Sequence, residues 1–191
     1  MKSIRFLFIW FGIVLLVGMV GAAIVFFRGV KPDVLENVFA GLESPTRVFR
    51  NAEFGISFRY PREWEERFIA PNGILFSGKD GTTLILVLTK RNNEESLDEM
   101  TEKNIRELQE SAVSAGTNID KEAVEPILLG AQPARRFAYH AQKNETPIDG
   151  IQVWTVNGTK EYIMTFASPR DVFSAAVQTF QNVLESVEIK Q

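Results

Sequence analysis

The sequence predicts an α+β domain, an antiparallel sheet sandwiched by helices in an α/β/α arrangement, behind a single N-terminal transmembrane helix. Three observations carry that prediction. An uncharged apolar run of 22 residues stands between Arg5 and Arg28. From residue 47 onward, short runs show the two-residue period of half-buried strands and are separated by hairpin-type turns. Two later segments carry apolar residues at helical spacing and need an apolar surface to cover.

The apolar run reads FLFIWFGIVLLVGMVGAAIVFF. At 1.5 Å per residue it makes a helix of about 33 Å, enough for a hydrocarbon core of about 30 Å. A cleaved signal peptide would have a shorter apolar region, about 7–15 residues, ending at small residues. Gly21, Ala22 and Ala23 resemble such a site, but Ile24, Val25, Phe26 and Phe27 continue the run and favour an uncleaved anchor. Lys2 and Arg5 before the helix balance Arg28 and Lys31 after it, so flanking charge does not set the orientation. A short tail followed by a large domain is expected to run with its N-terminus cytoplasmic and the domain extracytoplasmic, on a plasma or thylakoid-type membrane. The organisation is therefore an anchor at 1–28, a linker at 29–46 punctuated by Gly29, Pro32, Gly41 and Pro45, and a domain at 47–191.

Within the domain, 48–51 and 55–60 read as two strands, with Ile56, Phe58 and Tyr60 alternating against Ser57 and Arg59. Pro61 stops the second. Residues 64–69 and 74–77 flank an Asn72–Gly73 hairpin signal. Residues 82–89 are apolar at nearly every position, as expected of a central strand covered on both faces. Ser96 and Glu99 form a capping box for a helix whose inner face is Leu97, Met100, Ile105, Leu108 and Ala112, with Gly116 as its stop. Strands are expected at 123–129, 134–142, 149–156 and 160–167, with turns at 130–133 and at Asn157–Gly158. Ser168 is expected to cap a last helix, with Pro169 at its first position and Asp171 completing a capping box. Its stripe is Val172, Phe173, Ala176, Phe180, Val183 and Leu184, and 186–189 adds a short closing strand.

Composition removes much of catalytic chemistry. The 191 residues allow one domain and an appendage. The chain is −3 overall (21 basic residues against 24 acidic), its first thirty-one residues are +4, and the remainder is therefore −7 (17 against 24). A body this acidic is a poor nucleic-acid binder. Absence of cysteine excludes disulfides, thiol nucleophiles, cysteine zinc sites and iron–sulfur clusters, and a single histidine leaves no multi-histidine metal site.

The pattern GISFRYPREW holds Gly55, Phe58, Tyr60, Pro61 and Trp64. Gly130–Ala131–Gln132–Pro133–Ala134 then precedes an arginine-rich strand. Gln152, Gly158, Tyr162, Thr165 and Phe166 follow, and the last helix carries Phe173, Phe180, Leu184 and Ser186. In order and spacing this series resembles the PsbP-like family, named for an extrinsic subunit of the oxygen-evolving photosystem, and the related bacterial DcrB-type domains. The resemblance covers about residues 47–190. It implies an antiparallel sheet between helices and a non-enzymatic domain that binds or stabilises a larger assembly, and it carries over no catalytic residue. Many relatives are cleaved or lipidated, whereas this chain keeps an apolar anchor and lacks cysteine.

His140 is the one candidate for a general base, with Asp149 or Glu145 across a hairpin, but a base needs a positioned nucleophile. Ser111, Ser114 and Ser168 are explained by helix surface or cap. The acids of 92–95 with Asp98 and Glu99 offer oxygen ligands without the spacing of a calcium loop and suit a helix entrance. Residues 139–150, YHAQKNETPIDG, read as a long polar connection. They are either the end of a flexible hairpin or a partner-binding loop built on His140, Lys143, Asn144, Glu145 and Asp149. The expected function is an accessory, assembly or stabilising subunit of a membrane protein complex, with no cofactor and no metal. The alternative is a carrier of a lipid or small hydrophobic ligand in a cleft between sheet and helix.

Overall fold

Alternation of apolar and polar residues sets the first two strands, β1 (Thr46–Asn51) and β2 (Ile56–Pro61), which pair antiparallel from Thr46↔Pro61 to Asn51↔Ile56. The computed structural model describes residues 45–69, 72–91, 96–114, 118–143 and 146–190. The expected anchor, the linker up to residue 44 and the expected helix stop Gly116 lie outside the described residues. No described helix is long and apolar enough to cross a membrane, and the 22-residue run lies outside the described residues.

One sheet was expected, and two form. β1 and β2 make a three-stranded sheet with β10 (Glu188–Ile189), in the order β1-β2-β10. The second sheet has seven antiparallel strands in the order β3-β4-β5-β9-β8-β7-β6. These are β3 (Glu65–Ile69), β4 (Gly73–Ser77), β5 (Thr83–Lys90), β6 (Asn118–Leu129), β7 (Gln132–Lys143), β8 (Thr146–Asn157) and β9 (Lys160–Pro169). The division falls at Pro61, which ends β2. The Trp64 amide then donates to the Pro61 carbonyl, and the chain turns into the other sheet. The small sheet lies on the large one instead of extending it. Phe49, Phe58 and Tyr60 pack around Phe76 of β4, with ring centroids 5.5, 5.4 and 4.8 Å from it.

Two helices complete the described fold. In α1 (Leu97–Ser114) the expected capping box forms. The Glu99 amide donates to Ser96 Oγ at 3.2 Å and the Ser96 amide donates to Glu99 Oε2 at 3.0 Å. The amide of Ser96 holds the Glu99 carboxyl below its ordinary range. The last helix, α2 (Arg170–Glu185), starts differently from expectation. Pro169 holds the cap position with no side-chain hydrogen bond. Ser168 remains in the β9 ladder opposite Asp149, fully buried, and its hydroxyl donates to the carbonyl of Pro169.

The helices cover opposite faces of the large sheet. Ala176, Phe180 and Val183 of α2 pack with Ile151, Val153, Tyr162, Met164 and Phe166 and share their cluster with the small sheet. Met100, Ile105 and Leu108 of α1 pack with Phe137, Tyr139 and Trp154 on the other face. Neighbouring positions of one strand, such as Val153 and Trp154, thus serve different cores, as the period of two requires. β5, between β4 and β9, is buried along most of its length, as its continuous apolar run predicts.

The β8–β9 hairpin turns at Gly158–Thr159, one residue later than expected, because Asn157 still pairs with Lys160. Gly158, at φ +58°, takes the first loop position, where a II′ turn wants glycine. In the β6–β7 turn both Gly130 (φ +54°) and Ala131 (φ +66°) are left-handed. A Cβ on Gly130 would also come within 3.0 Å of the Ile189 amide nitrogen, so this position is closed to side chains.

Candidate functional site

The expected long connection at 139–150 is mostly strand. β7 runs to Lys143 and β8 starts at Thr146, with pairs Tyr139↔Gly150, His140↔Asp149, Ala141↔Ile148, Gln142↔Pro147 and Lys143↔Thr146. A dozen polar-rich residues look like a loop, yet the inward positions Tyr139, Ile148 and Gly150 are buried, and that burial carries the ladder through. Of the five candidate residues, His140 and Asp149 are brought together. Lys143 ends β7, and Asn144 and Glu145 lie outside the described residues.

Register builds the site. His140 of β7, Asp149 of β8 and Ser168 of β9 stand in one row on the face that α2 covers. Two residues after Ser168 the chain enters α2, and Arg170 folds back to the row. His140 Nδ1 lies 2.7 Å from Asp149 Oδ1, and an ionised carboxylate only accepts, so Nδ1 carries the proton. Arg170 Nε donates to Oδ1 at 3.0 Å and to Oδ2 at 3.3 Å, and a second guanidinium nitrogen reaches Oδ1 at 3.0 Å. The Asp149 side chain is 11% exposed, against 46% for His140 and 51% for Arg170, so a buried anion is covered by two half-exposed cationic or polar heads. Burial pushes the Asp149 carboxyl up, but the bonds from His140 and Arg170 outweigh it and hold the group below the ordinary aspartate range.

The arrangement fastens the β7–β8 hairpin to the first turn of α2. A cation at a helix N-terminus opposes the macrodipole, and the Asp149 carboxylate offsets it. The row also defines what His140 can do. Asp149, not His140, is the neighbour of Ser168, and His140 stands two strands from it, about 10 Å. This order does not make a serine–histidine–carboxylate relay. The other candidate carboxylates are engaged elsewhere: Asp98 Oδ1 accepts from Arg135 at 2.6 and 2.9 Å, and Glu99 serves the helix cap. The acids at 94 and 95 lie outside the described residues.

Arg170 was missed in the sequence, although a signal was present: an arginine directly after Pro169, where a helix start prefers an acid, asks for a carboxylate from outside the helix. Asp149→Asn tests the network. It should lower stability at neutral pH by about 1–3 kcal/mol, the range for hydrogen bonds to charged groups. Because the folded carboxyl ionises below the unfolded value of about 3.9, its contribution is full above that pH and is lost as pH falls through the folded value. Urea denaturation over a falling pH series should therefore separate variant and parent at pH 7 and narrow the gap as the pH drops below the unfolded value.

No family model matches the sequence, and no relative is found among curated proteins. Solved structures do match. The solution structure of cyanobacterial PsbP from Synechocystis sp. PCC 6803 superposes with a TM-score of 0.65 at 14% identity, covering 82% of this chain and 99% of that one. The chain has the PsbP-like fold. Also similar are LpqN of Mycobacterium tuberculosis, described as involved in cell envelope biogenesis (TM-score 0.55, 12% identity, 78% of this chain and 87% of that one), and the Ran-binding protein Mog1p of Saccharomyces cerevisiae (0.53, 9%, 77% and 96%). Identities this low speak for the fold alone. In the PsbP-like fold seen here, the residues of the sequence resemblance are framework. Phe58, Tyr60, Trp64, Tyr162, Phe166 and Phe180 are buried, and the Tyr162 hydroxyl donates to the Phe54 carbonyl at 2.6 Å.

Proposed function

We propose that the chain is a membrane-anchored, extracytoplasmic PsbP-like domain acting as a non-enzymatic accessory, assembly or stabilising subunit of a membrane protein complex. The observation that carries this reading is the pairing of the PsbP-like fold with an apolar run of 22 residues ahead of it. Two of its structural neighbours, a cyanobacterial PsbP and a protein described as involved in cell envelope biogenesis, support an extrinsic or envelope-associated role. The His140–Asp149–Arg170 network supports it too, since its carboxylate is consumed in holding the fold together.

The carrier reading requires a cleft between helix and sheet. Under α2 that space is filled by rings, with Phe166 and Phe180 stacked at 4.8 Å, and under α1 by Phe137 and Trp154 at 5.8 Å. A groove of about 470 Å³ between the β6–β7 turn and the end of α2, lined by Leu128, Leu184 and Ile189, opens at the surface instead.

Affinity purification of the intact tagged chain from native membranes in mild detergent tests the proposal. A defined set of membrane subunits in comparable amounts supports it, and recovery of the chain alone with extractable lipid sinks it. The same experiment locates the partner surface. His140→Ala with Lys143→Ala should keep the melting temperature within a few degrees, as expected for a change of about 1 kcal/mol, and lose the associated subunits. Retention of the subunits would remove the hairpin end as the contact.

A further inference from the structure

We propose that the outer face of the β1–β2–β10 sheet docks on anionic phospholipid headgroups of the bilayer to which the chain is tethered. This rests on the anchored reading above. In the antiparallel pairs Phe49↔Phe58 points to the core, so Val48↔Arg59 and Arg50↔Ser57 point away from it. The outer face thus presents Arg50 and Arg59 around Val48, which is 53% exposed. Lys190, exposed beside Gly55, adds a third cation, and among the described residues Glu188, opposite Ser57, is the one acid on the face. Arg62 stands at its end, where Glu63 follows in sequence, while Arg47 lies on the Phe49 side of β1 over the Tyr60 ring.

Several cations elsewhere in the domain are held by carboxylates, while among the described residues Lys79, Arg106 and Lys160 stand singly without one within 4.0 Å. Arg135 is bound to Asp98, Arg170 to Asp149 and Lys90 to Glu53. Among the described residues, Arg50, Arg59, Arg62 and Lys190 meet no carboxylate within 4.0 Å, although the chain beyond residue 31 carries −7. Unpaired cations gathered on one face of an acidic body, around an exposed valine, match an anionic interface with an apolar edge.

The chain's own course points to the same surface. The Arg62 amide donates to the Pro45 carbonyl at 2.9 Å, so the linker enters the domain at this sheet. The 18 residues from 28 to 45 span at most roughly 60 Å when extended. That is long enough for the face to turn to the headgroups and short enough to keep its local concentration high. Attraction of this kind acts over about 10 Å at 0.1 M salt, so the face must lie close to the bilayer to gain from it.

The chain has no cysteine, which allows a single label. Full-length Val48→Cys, carrying an environment-sensitive fluorophore, is placed in nanodiscs of phosphatidylcholine alone or with about 30% phosphatidylglycerol. A label at Glu102→Cys on α1, over the opposite face of the large sheet, is the control. The Val48 label should shift to the blue on anionic discs and be quenched by spin-labelled lipid. It should lose both effects in about 0.5 M salt or with Arg50→Glu and Arg59→Glu, while the control stays unchanged. Each cation near an anionic surface is worth roughly fivefold in affinity, so reversing two should weaken contact by well over tenfold. Co-elution with the disc in about 1 M salt reads the anchor separately, because attachment by charge alone is screened there. A chain that co-elutes without an anionic-dependent shift overturns the docking while the anchor stands. A chain released by salt that still shifts on anionic discs keeps the docking and overturns the anchor.

Discussion

Gly150→Ala should cost the domain about 2–3 kcal/mol, the upper range for an overpacked core, and lower its melting temperature by roughly 10 °C. Gly150 sits on β8 opposite Tyr139 of β7, on the face under α1. The Tyr139 ring lies across the glycine backbone, so an added Cβ would fall inside the ring at Cζ, the hydroxyl and Cε1. The ring has nowhere to go. Tyr139 is 3% exposed, stacks on Phe137 at 5.9 Å, and burial pushes its hydroxyl up from the ordinary tyrosine range. The pair can be tested as a cycle. Tyr139→Ala alone leaves a cavity, but it also frees the space that the new methyl needs. The double variant should then be at least about 1 kcal/mol more stable than the sum of the two losses. Additive losses in urea denaturation would show that the glycine is not held by the ring.

Phe180→Ala should have the larger single cost, about 3–5 kcal/mol. Phe180 is fully buried at the middle of α2 and stacks on Phe166 with a 14° angle between planes. It belongs to the cluster that joins α2, the large sheet and the small sheet, so its loss leaves a void where three layers meet. Phe180→Leu keeps most of the volume and should cost about 1 kcal/mol. Thermal unfolding followed by circular dichroism separates the two, and equal shifts for both variants would count against the packing account.

The elements that depend on local chemistry were legible in the sequence. Ser96 and Glu99 announced α1, the alternation of Ile56, Phe58 and Tyr60 announced β2, and the apolar run at 82–89 announced a central strand. Partnership between distant segments was not legible. Alternation says that a strand has a buried face, but not which strand lies beside it. The seam between the two sheets at Pro61 was therefore missed. Ser168 has every local mark of an N-cap, and it was overruled by a ladder to Asp149 nineteen residues earlier. The same blindness hid the site. His140 and Asp149 were named as possible neighbours, while Arg170, which completes the network, became visible only with the course of α2. The polar composition of 139–150 concealed two strands because half of their positions face solvent.

The two-residue strand β10 has a consequence for biosynthesis. It pairs with β2, where Ser57 meets Glu188, 131 positions later in the chain. The Arg59 amide likewise donates to the Ser186 hydroxyl at 2.8 Å. During synthesis β2 emerges with one edge unsatisfied, and its partner on that edge follows only at residues 188 and 189. The small sheet therefore cannot be completed until residues 188 and 189 have emerged, and topologies dominated by distant pairing fold slowly. Until then the nascent chain must be kept from pairing its open strand with a neighbour, and loss of residues 186–189 would leave the β1–β2 ribbon with no clasp.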